Sequence, residues 1–364
     1  MQEYREDSSH CDLPWVLVLW VTTDCNLRCR YCYADGGDVR TYMGWEVARR
    51  AIDLFAELSC RLRVQFAGGE PLLNLDTIER TVAYSADLGL DATFHLQTNA
   101  TLITHGIARR LKDLGLHVGV SMDGPPHIND PLRPFANGSG STKATVAGIG
   151  HLRDAGIRVG LTCVLSGQNT SGLSSLLDLA GYLGNVQGIS LDPLRPVGRG
   201  RMEMRPDPSQ AAMSLDAAIR HSDELAMMGG RRVGFREIER MRYLISSRRP
   251  RLHRCYFHAC RSLMVGPGGD AYPCASLCLR EFYLGSILDR GFEDHLQEKL
   301  FSASMSIEMP AECRGCSRRW LCGGPCPAGI YSTVGDMRLE CAIRRVFMEH
   351  AMRYEGAGLR PAYR

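Results

Sequence analysis

Thr23-Asp24-Cys25-Asn26-Leu27-Arg28-Cys29-Arg30-Tyr31-Cys32-Tyr33 places three thiols within eight residues, directly after the apolar run Trp15 to Val21. The run reads as a strand from Val16 to Val21, and the thiols fall in the polar loop leaving its C-terminal end. One loop can wrap three such thiols around a single metal centre. Three thiolates also leave one position of a four-iron cluster without a protein ligand, and an open position separates a reactive centre from a closed structural one. Two plainer readings stand beside this one: a zinc site completed by a distant His, or accidental spacing. Reduced core cysteines fit poorly, because Asp24, Asn26, Arg28 and Arg30 make the loop polar.

Downstream, Arg63 to Phe66, Thr93 to Gln97, His117 to Ser121, Ile157 to Val164 and Gly188 to Leu191 continue the series of short strands. Helical stretches separate them. Gly44 to Leu58 sets Val47, Ala51, Leu54 and Leu58 on one face, the stripe that a helix covering a sheet requires. Six strands joined by crossovers long enough for helices imply an α/β fold with a parallel sheet, a partial (β/α)6 TIM-like barrel. Active sites in such folds sit at the strand C-termini. The loops there carry Gly68-Gly69-Glu70-Pro71, then Thr98-Asn99, then Met122-Asp123-Gly124. A helical region from about Ser209 to Met228 follows, and the basic stretch Arg248 to Arg254 leads into a cysteine-rich end. The chain is expected to divide into an extension at 1–15, the barrel and its following helices at 16–245, a small cysteine-rich domain at 246–350 and a tail at 351–364.

The three-cysteine spacing after strand one resembles that of the radical S-adenosylmethionine (SAM) superfamily. In that family the cysteines hold a four-iron four-sulfur cluster, SAM chelates the fourth iron, and reduction cleaves SAM to methionine and a 5′-deoxyadenosyl radical that abstracts a substrate hydrogen. The resemblance assigns Cys25, Cys29 and Cys32 to the cluster and extends over about Val16 to Arg205. It also implies that Gly68, Gly69, Glu70 and Pro71 bind SAM, with the Glu70 carboxylate on its amino group. By themselves these four residues also read as a helix-starting turn with Pro71 at its first position. Ser121 and Asp123 resemble the family's ribose-contacting segment, and Asn99 a polar residue after strand three, though either strand end also suits a turn or cap. Tyr31 and Tyr33 flank the last cluster cysteine, where the resemblance implies contact with adenine or substrate, and Tyr33 equally suits ordinary packing.

Of the 15 cysteines, nine lie between Cys255 and Cys341. The order Cys255, Cys260, Gly269-x4-Cys274, Cys313-x2-Cys316-x5-Cys322-x3-Cys326, Cys341 resembles the SPASM extension of radical SAM enzymes. Two zinc knuckles do not explain it, since Cys313 and Cys316 form the only CxxC pair in that series. The resemblance implies two auxiliary clusters, one held by Cys255, Cys260, Cys274 and Cys326 and one by Cys313, Cys316, Cys322 and Cys341. With the N-terminal cluster this makes three 4Fe-4S centres. Cys11, Cys60, Cys163 and Cys278 are left over; Cys60 and Cys163 read as core residues, and Cys278 competes with Cys260 as a ligand, faces substrate, or is inert.

The remaining composition excludes other classes. A net charge of +3 on 364 residues suggests no nucleic-acid partner. The run Trp15 to Val21 is too short to span a membrane, and the acidic head Glu3, Glu6, Asp7 argues against a secretory signal, so a cytoplasmic protein is expected. SPASM proteins mostly modify polypeptides, and Ser121 to Phe135 looks most like anaerobic sulfatase maturases and ribosomal-peptide maturases. A peptide or protein substrate is therefore implied, together with a reductant such as flavodoxin or ferredoxin. With about 15 residues before strand one, a leader peptide would be read by the barrel, the C-terminal region or a separate leader-binding partner. One departure matters: sulfatase maturases carry an acidic residue, their proposed base, after the Gly-x4-Cys cysteine, and this chain has Ala275. The alternatives are a SPASM enzyme for a small molecule or tetrapyrrole, a non-catalytic iron-sulfur electron carrier, and a zinc-stabilised interaction protein.

Overall fold

The computed structural model describes residues 13–57, 61–229, 232–251, 253 and 255–353. The expectations for Glu3, Glu6, Asp7, Cys11, Leu58, Cys60 and most of the tail lie outside these residues.

Six parallel strands form the centre of one open sheet: β1 (Trp15–Thr22), β2 (Leu62–Gly68), β3 (Ala92–Thr98), β4 (His117–Ser121), β5 (Val159–Leu165) and β6 (Val186–Pro193). They pair in chain order, each crossover carrying helix: α1 (Trp45–Glu57), α2 (Leu75–Asp87), α3 (His105–Asp113), α4 (Pro126–Leu132), α5 (Thr142–Asp154) and α6 (Leu173–Leu183). These are the six strands that the apolar runs predict, extended by one or two residues at several ends, except that β5 begins at Val159 and leaves Ile157 and Arg158 in the segment before it. Side chains alternate as the pleat demands. Leu62, Val64 and Phe66 of β2, or Val118 and Val120 of β4, are buried in the main core with the helices. Their neighbours Arg63, Gln65, His117, Gly119 and Ser121 take the opposite face, the inside of the partial barrel. Helix α1 buries Val47, Ala51, Ile52, Leu54 and Phe55, and Phe55 meets Trp15 of β1 edge-on at 5.3 Å. Each such side chain contributes roughly 1.5–3 kcal/mol when fully removed from water.

Four short strands escaped sequence analysis. β7 (Gly234–Phe235) pairs with β6 between α7 (Pro208–Met227) and α8 (Arg236–Ser246). β8 (Ser262–Val265) runs parallel to β1 at the other edge, and β9 (Asp270–Tyr272) and β10 (Gly285–Ser286) extend that edge antiparallel. The cysteine-rich segment thus contributes to the barrel's own sheet, which stays unclosed with β10 and β7 at its margins. After α9 (Leu296–Met305) come three short helices, α10 (Ala311–Arg314), α11 (Arg319–Cys322) and α12 (Pro327–Ser332). The last, α13 (Arg338–Arg353), returns to pack on α7 and α8 through Leu339, Ile343, Val346 and Phe347. Among the described residues no helix is long and apolar enough to cross a membrane.

Candidate radical SAM site

The loop after β1 is held by its own backbone. Thr22, fully buried, donates from Oγ1 to the Thr41 carbonyl at 2.7 Å and accepts from the Asp24 amide at 3.0 Å. The Arg28 guanidinium lies under the loop, donating to the carbonyls of Cys25 (2.6 Å), Leu27 (2.9 Å) and Gly37 (2.8 Å). Arg199, from the segment after β6, donates through Nε to the Cys29 carbonyl at 3.0 Å, and its amide donates to the Cys32 carbonyl at 3.0 Å. On a third side the amides of Arg28 and Arg30 donate to the carbonyls of Pro134 and Leu132. Cys25, Cys29 and Cys32 therefore come from a loop braced in three directions.

The Gly68-Gly69 pair packs against that loop. Gly68 has φ +126°, and a Cβ there would stand 2.1 Å from the Thr22 carbonyl oxygen. A Cβ on Gly69 would stand 2.0 Å from that of Asp24. The amides of Gly69 and Glu70 donate to these same two oxygens at 2.8 Å. Glycine is needed because two backbones approach within hydrogen-bonding distance. Glu70 is fully buried: Oε1 accepts from Thr98 Oγ1 (2.6 Å) and the Leu72 amide (3.2 Å), and Oε2 from the Asn99 amide (2.8 Å). Pro71 opens the short turn that Glu70 caps. The helix-start reading is thus present in the structure. A carboxylate offers about four acceptor positions, so three internal donors leave room for one more.

Asn99 is buried, its side-chain amide donating to Asn26 Oδ1 at 2.9 Å, which places it against the cysteine loop. Ser121 Oγ accepts from Gln97 Nε2 at 2.9 Å inside the barrel. Asp123 is buried, with Oδ1 accepting from the Val164 amide at 3.0 Å and Oδ2 from the Tyr31 hydroxyl. Arg133 Nη1 donates to that hydroxyl at 2.8 Å. Tyr31, Asp123 and Arg133 form a buried triad beside Cys29, which sequence analysis missed. Arg133 and Arg199 stand more than a hundred residues from their partners, and their only sequence signal is position in the loops after strands four and six.

The electrostatics of the thiols favour a cationic guest. Burial pushes the Cys25 thiol up to about 12, reinforced by the Glu70 carboxylate and then by Cys29 and Cys32. Burial also raises Cys29, against the pull of Arg133. Thiolates so disfavoured alone are stabilised by coordinated metal, which deprotonates a thiol outright.

At the C-terminal end, Cys313, Cys316, Cys322 and Cys341 all line one cavity of about 400 Å³. Four thiols around a common space fit the second auxiliary ligand set. Cys255, Cys274 and Cys326 border one small apolar cluster built on Phe257, Leu277 and Phe282. The Cys260 thiol turns instead to Ser304 Oγ at 3.5 Å, and Cys278 lies against Met264 and the Ala275 carbonyl. Ala275 and Cys278 border an apolar patch with Trp20, Ala67 and Met264. Cys163 is fully buried in β5, as a core residue should be.

Comparison with known proteins agrees with this geometry. The radical SAM superfamily model matches residues 21–180. An uncharacterized protein of Methanocaldococcus jannaschii is 34% identical over 263 residues, covering 72% of this chain and 85% of its own. The serine-type anaerobic sulfatase-maturating enzyme of Klebsiella aerogenes is 25% identical over 92% of this chain and 84% of its own. The Fe-coproporphyrin III synthase of Methanosarcina barkeri is 34% identical over 45% of this chain and 40% of its own. Among solved structures, anSMEcpe with bound AdoMet superposes with a TM-score of 0.78 at 21% identity, covering 94% of each chain. The chain belongs to the radical SAM superfamily. It is a radical SAM enzyme whose fold matches the sulfatase-maturating neighbour through the cysteine-rich end, and the family implies a 4Fe-4S cluster and SAM.

Proposed function

We propose that this enzyme modifies a peptide or protein substrate. The N-terminal cluster, when bound, supplies the electron that cleaves SAM and so gives the 5′-deoxyadenosyl radical. The chain's own residues hold and orient. Cys25, Cys29 and Cys32 bind the cluster, and Gly68 to Pro71 keep the neighbouring backbone close. Tyr31, Asp123 and Arg133 fix the wall beside Cys29, with Asn99 and Ser121 at the ends of β3 and β4. Cys313, Cys316, Cys322 and Cys341 hold one auxiliary cluster. Cys255, Cys274 and Cys326 hold the other, with Cys260 or Cys278 as its fourth ligand. Anaerobically reconstituted protein then carries about twelve irons, and about four would remove both auxiliary clusters.

The observation that carries the peptide reading is the extent of likeness. Similarity to the sulfatase-maturating enzyme runs through 92% of the chain, whereas similarity to the Fe-coproporphyrin synthase stops at 45%. The same fold has also been solved as anSMEcpe with AdoMet and the Cp18Cys peptide. Sulfatase maturation itself is not favoured, since the position of the acidic residue is Ala275 in an apolar patch. The test is to incubate reduced enzyme and SAM with short peptides encoded beside its gene, following 5′-deoxyadenosine and peptide mass together. A mass change tied to deoxyadenosine supports the reading. Deoxyadenosine coupled to conversion of a tetrapyrrole instead supports the tetrapyrrole alternative, which the 34% local identity favours.

A further inference from the structure

The inside of the partial barrel has a second pole, away from the cysteine loop. Arg63 of β2, His95 of β3, His117 of β4 and Arg236 of α8 meet there at an open mouth, His95 half-buried and the other three exposed. Arg63 Nε lies 3.1 Å from His95 Nε2, and the His95 and His117 rings stack at 4.8 Å. Arg236 reaches across the wall, its Nη2 standing 2.6 Å from where a Cβ of Gly160 would be. That reach is made possible by a row of glycines: Gly119, Gly160, Gly188 and Gly234 are successive register partners across β4, β5, β6 and β7. One lane of the wall therefore carries no side chain. Gln97 covers Gly119, Arg236 covers Gly160, and the branched apolar residues that usually fill a barrel are missing here.

The cluster is cationic and lacks a counter-ion. Among the described residues no carboxylate lies within 4.0 Å of any of the four side chains. The acid felt by Arg236 is its neighbour Glu237, whose carboxyl is raised to about 7 by burial and then by Asp192, against the pull of Arg344 and Arg236. His95 receives a hydrogen bond from a guanidinium and has three basic neighbours. Burial first, then Arg63, His117 and Arg236, holds it neutral down to about pH 4. Two guanidinium forks and two imidazoles converging without an anion have the donor chemistry that grips an oxyanion.

We propose that Arg63, His95, His117 and Arg236 form an oxyanion-binding site in the barrel, for a carboxylate, phosphate or sulfate group. From Gly119 to Asp123 is four residues, the last two beyond the end of β4, so at most about 13 Å at ~3.3 Å per residue. The site is thus separate from the Tyr31–Asp123–Arg133 wall, and a ligand touching both would carry its acidic group about that far from the reacting atom. The bound anion stabilises protonated His95, so binding takes up a proton and tightens as pH falls.

Calorimetry on the anaerobic holoenzyme, titrated with sodium sulfate and with acetate at constant ionic strength, tests this. Sulfate keeps its charge across the range, so any pH effect belongs to the protein. The expected result is saturable sulfate binding, tighter at pH 5.5 than at pH 8, weakened at least tenfold by Arg63→Gln with Arg236→Gln. Arg63→Lys guards against misfolding and should retain most of the affinity. No saturable binding, or equal binding by the glutamine and wild-type proteins, would overturn the proposal. Once a substrate is known, competitive inhibition by sulfate marks the site as the seat of the substrate's own acidic group. Binding without inhibition marks it as the seat of a free anion. Failure of the enzyme to form deoxyadenosine would refute the reaction reading and leave this result standing.

Discussion

The two cysteine-bearing regions of this chain are built in opposite ways. Cys25, Cys29 and Cys32 come from eight consecutive residues, and Arg28, Arg199, Gly69 and the carbonyls of Leu132 and Pro134 brace that loop through the protein's own hydrogen bonds. The C-terminal thiols are drawn from positions 255 to 341, and the apolar cluster beside Cys255, Cys274 and Cys326 buries only Phe257, Leu277, Phe282, Ile307, Ala328 and Ile330. Cys316 and Cys341 are exposed. One region is shaped by the protein and can accept a cluster. The other anchors part of itself in the main core through Leu263, Val265 and Ala271, but its thiols sit on short helices and loops around a small separate cluster, where bound metal would supply part of the folding energy.

The largest effect expected is chemical. Cys29→Ala leaves two thiolates in the braced loop, which cannot hold the geometry that presents iron to SAM, so deoxyadenosine formation should fall at least ~10³-fold while the rest of the fold persists. Activity within tenfold of wild type would remove this loop as the active centre.

Iron removal should separate the two regions. After anaerobic chelation, amide exchange in residues 311–333 should speed up at least ~10²-fold, while the amides of Gly69, Glu70 and Arg199 stay within about tenfold. Uniform loss of protection across the molecule would break the comparison. In Cys316→Ala the same logic predicts deoxyadenosine without modified substrate. Unchanged product from soluble protein lacking that cluster would show it to be a bystander.

Gly69→Ala comes next. Its methyl group would collide with the Asp24 carbonyl, a backbone atom that cannot swing aside, so the cost is about 2–4 kcal/mol, spent on separating the two loops. SAM affinity should drop by an order of magnitude or more while the C-terminal clusters load normally. A variant that binds SAM as wild type would mean that the glycine pair serves packing alone.

These asymmetries were partly legible in the sequence. Strands such as His117–Ser121 announce themselves by alternation, and the thiols by spacing, because both are local patterns. β7 to β10 run two to four residues and carry no period, so the joining of Ser262–Val265 to β1 had to be seen. Arg133 and Arg199 act across 102 and 170 residues, and nothing local marks an arginine as a brace. Glu70 was read as either a ligand for SAM or a turn residue. The structure gives it a capping bond and two bonds to the end of β3, so its sequence motif describes two jobs at once.

The smallest effect concerns the seam between the regions. Glu237, in the first turn of α8, lies among Asp192 of β6, Arg236 and Arg344 of α13, and burial raises its carboxyl to about 7. Among the described residues its Oε2 has no hydrogen-bond partner. Arg344 meanwhile donates to the Cys322 carbonyl at 3.0 Å, so this carboxyl sits one residue away from an auxiliary ligand. In the unfolded chain a glutamate titrates near 4.3. The folded value is the higher one, so the folded state binds the extra proton: the contribution is fully present below about pH 4.3 and is lost as pH rises through 7. Glu237→Gln removes that dependence. It should raise stability at pH 8 by about 1–3 kcal/mol and change it little at pH 4.5. Denaturant unfolding followed at both pH values checks this, with a tryptophan signal for the barrel and cluster absorbance for the C-terminal region. If the gain at pH 8 appears in the C-terminal transition alone, the seam is where the two regions part first. If both transitions shift together, the sheet and α13 bind them into one cooperative unit, and the contrast between the regions is confined to their metal sites.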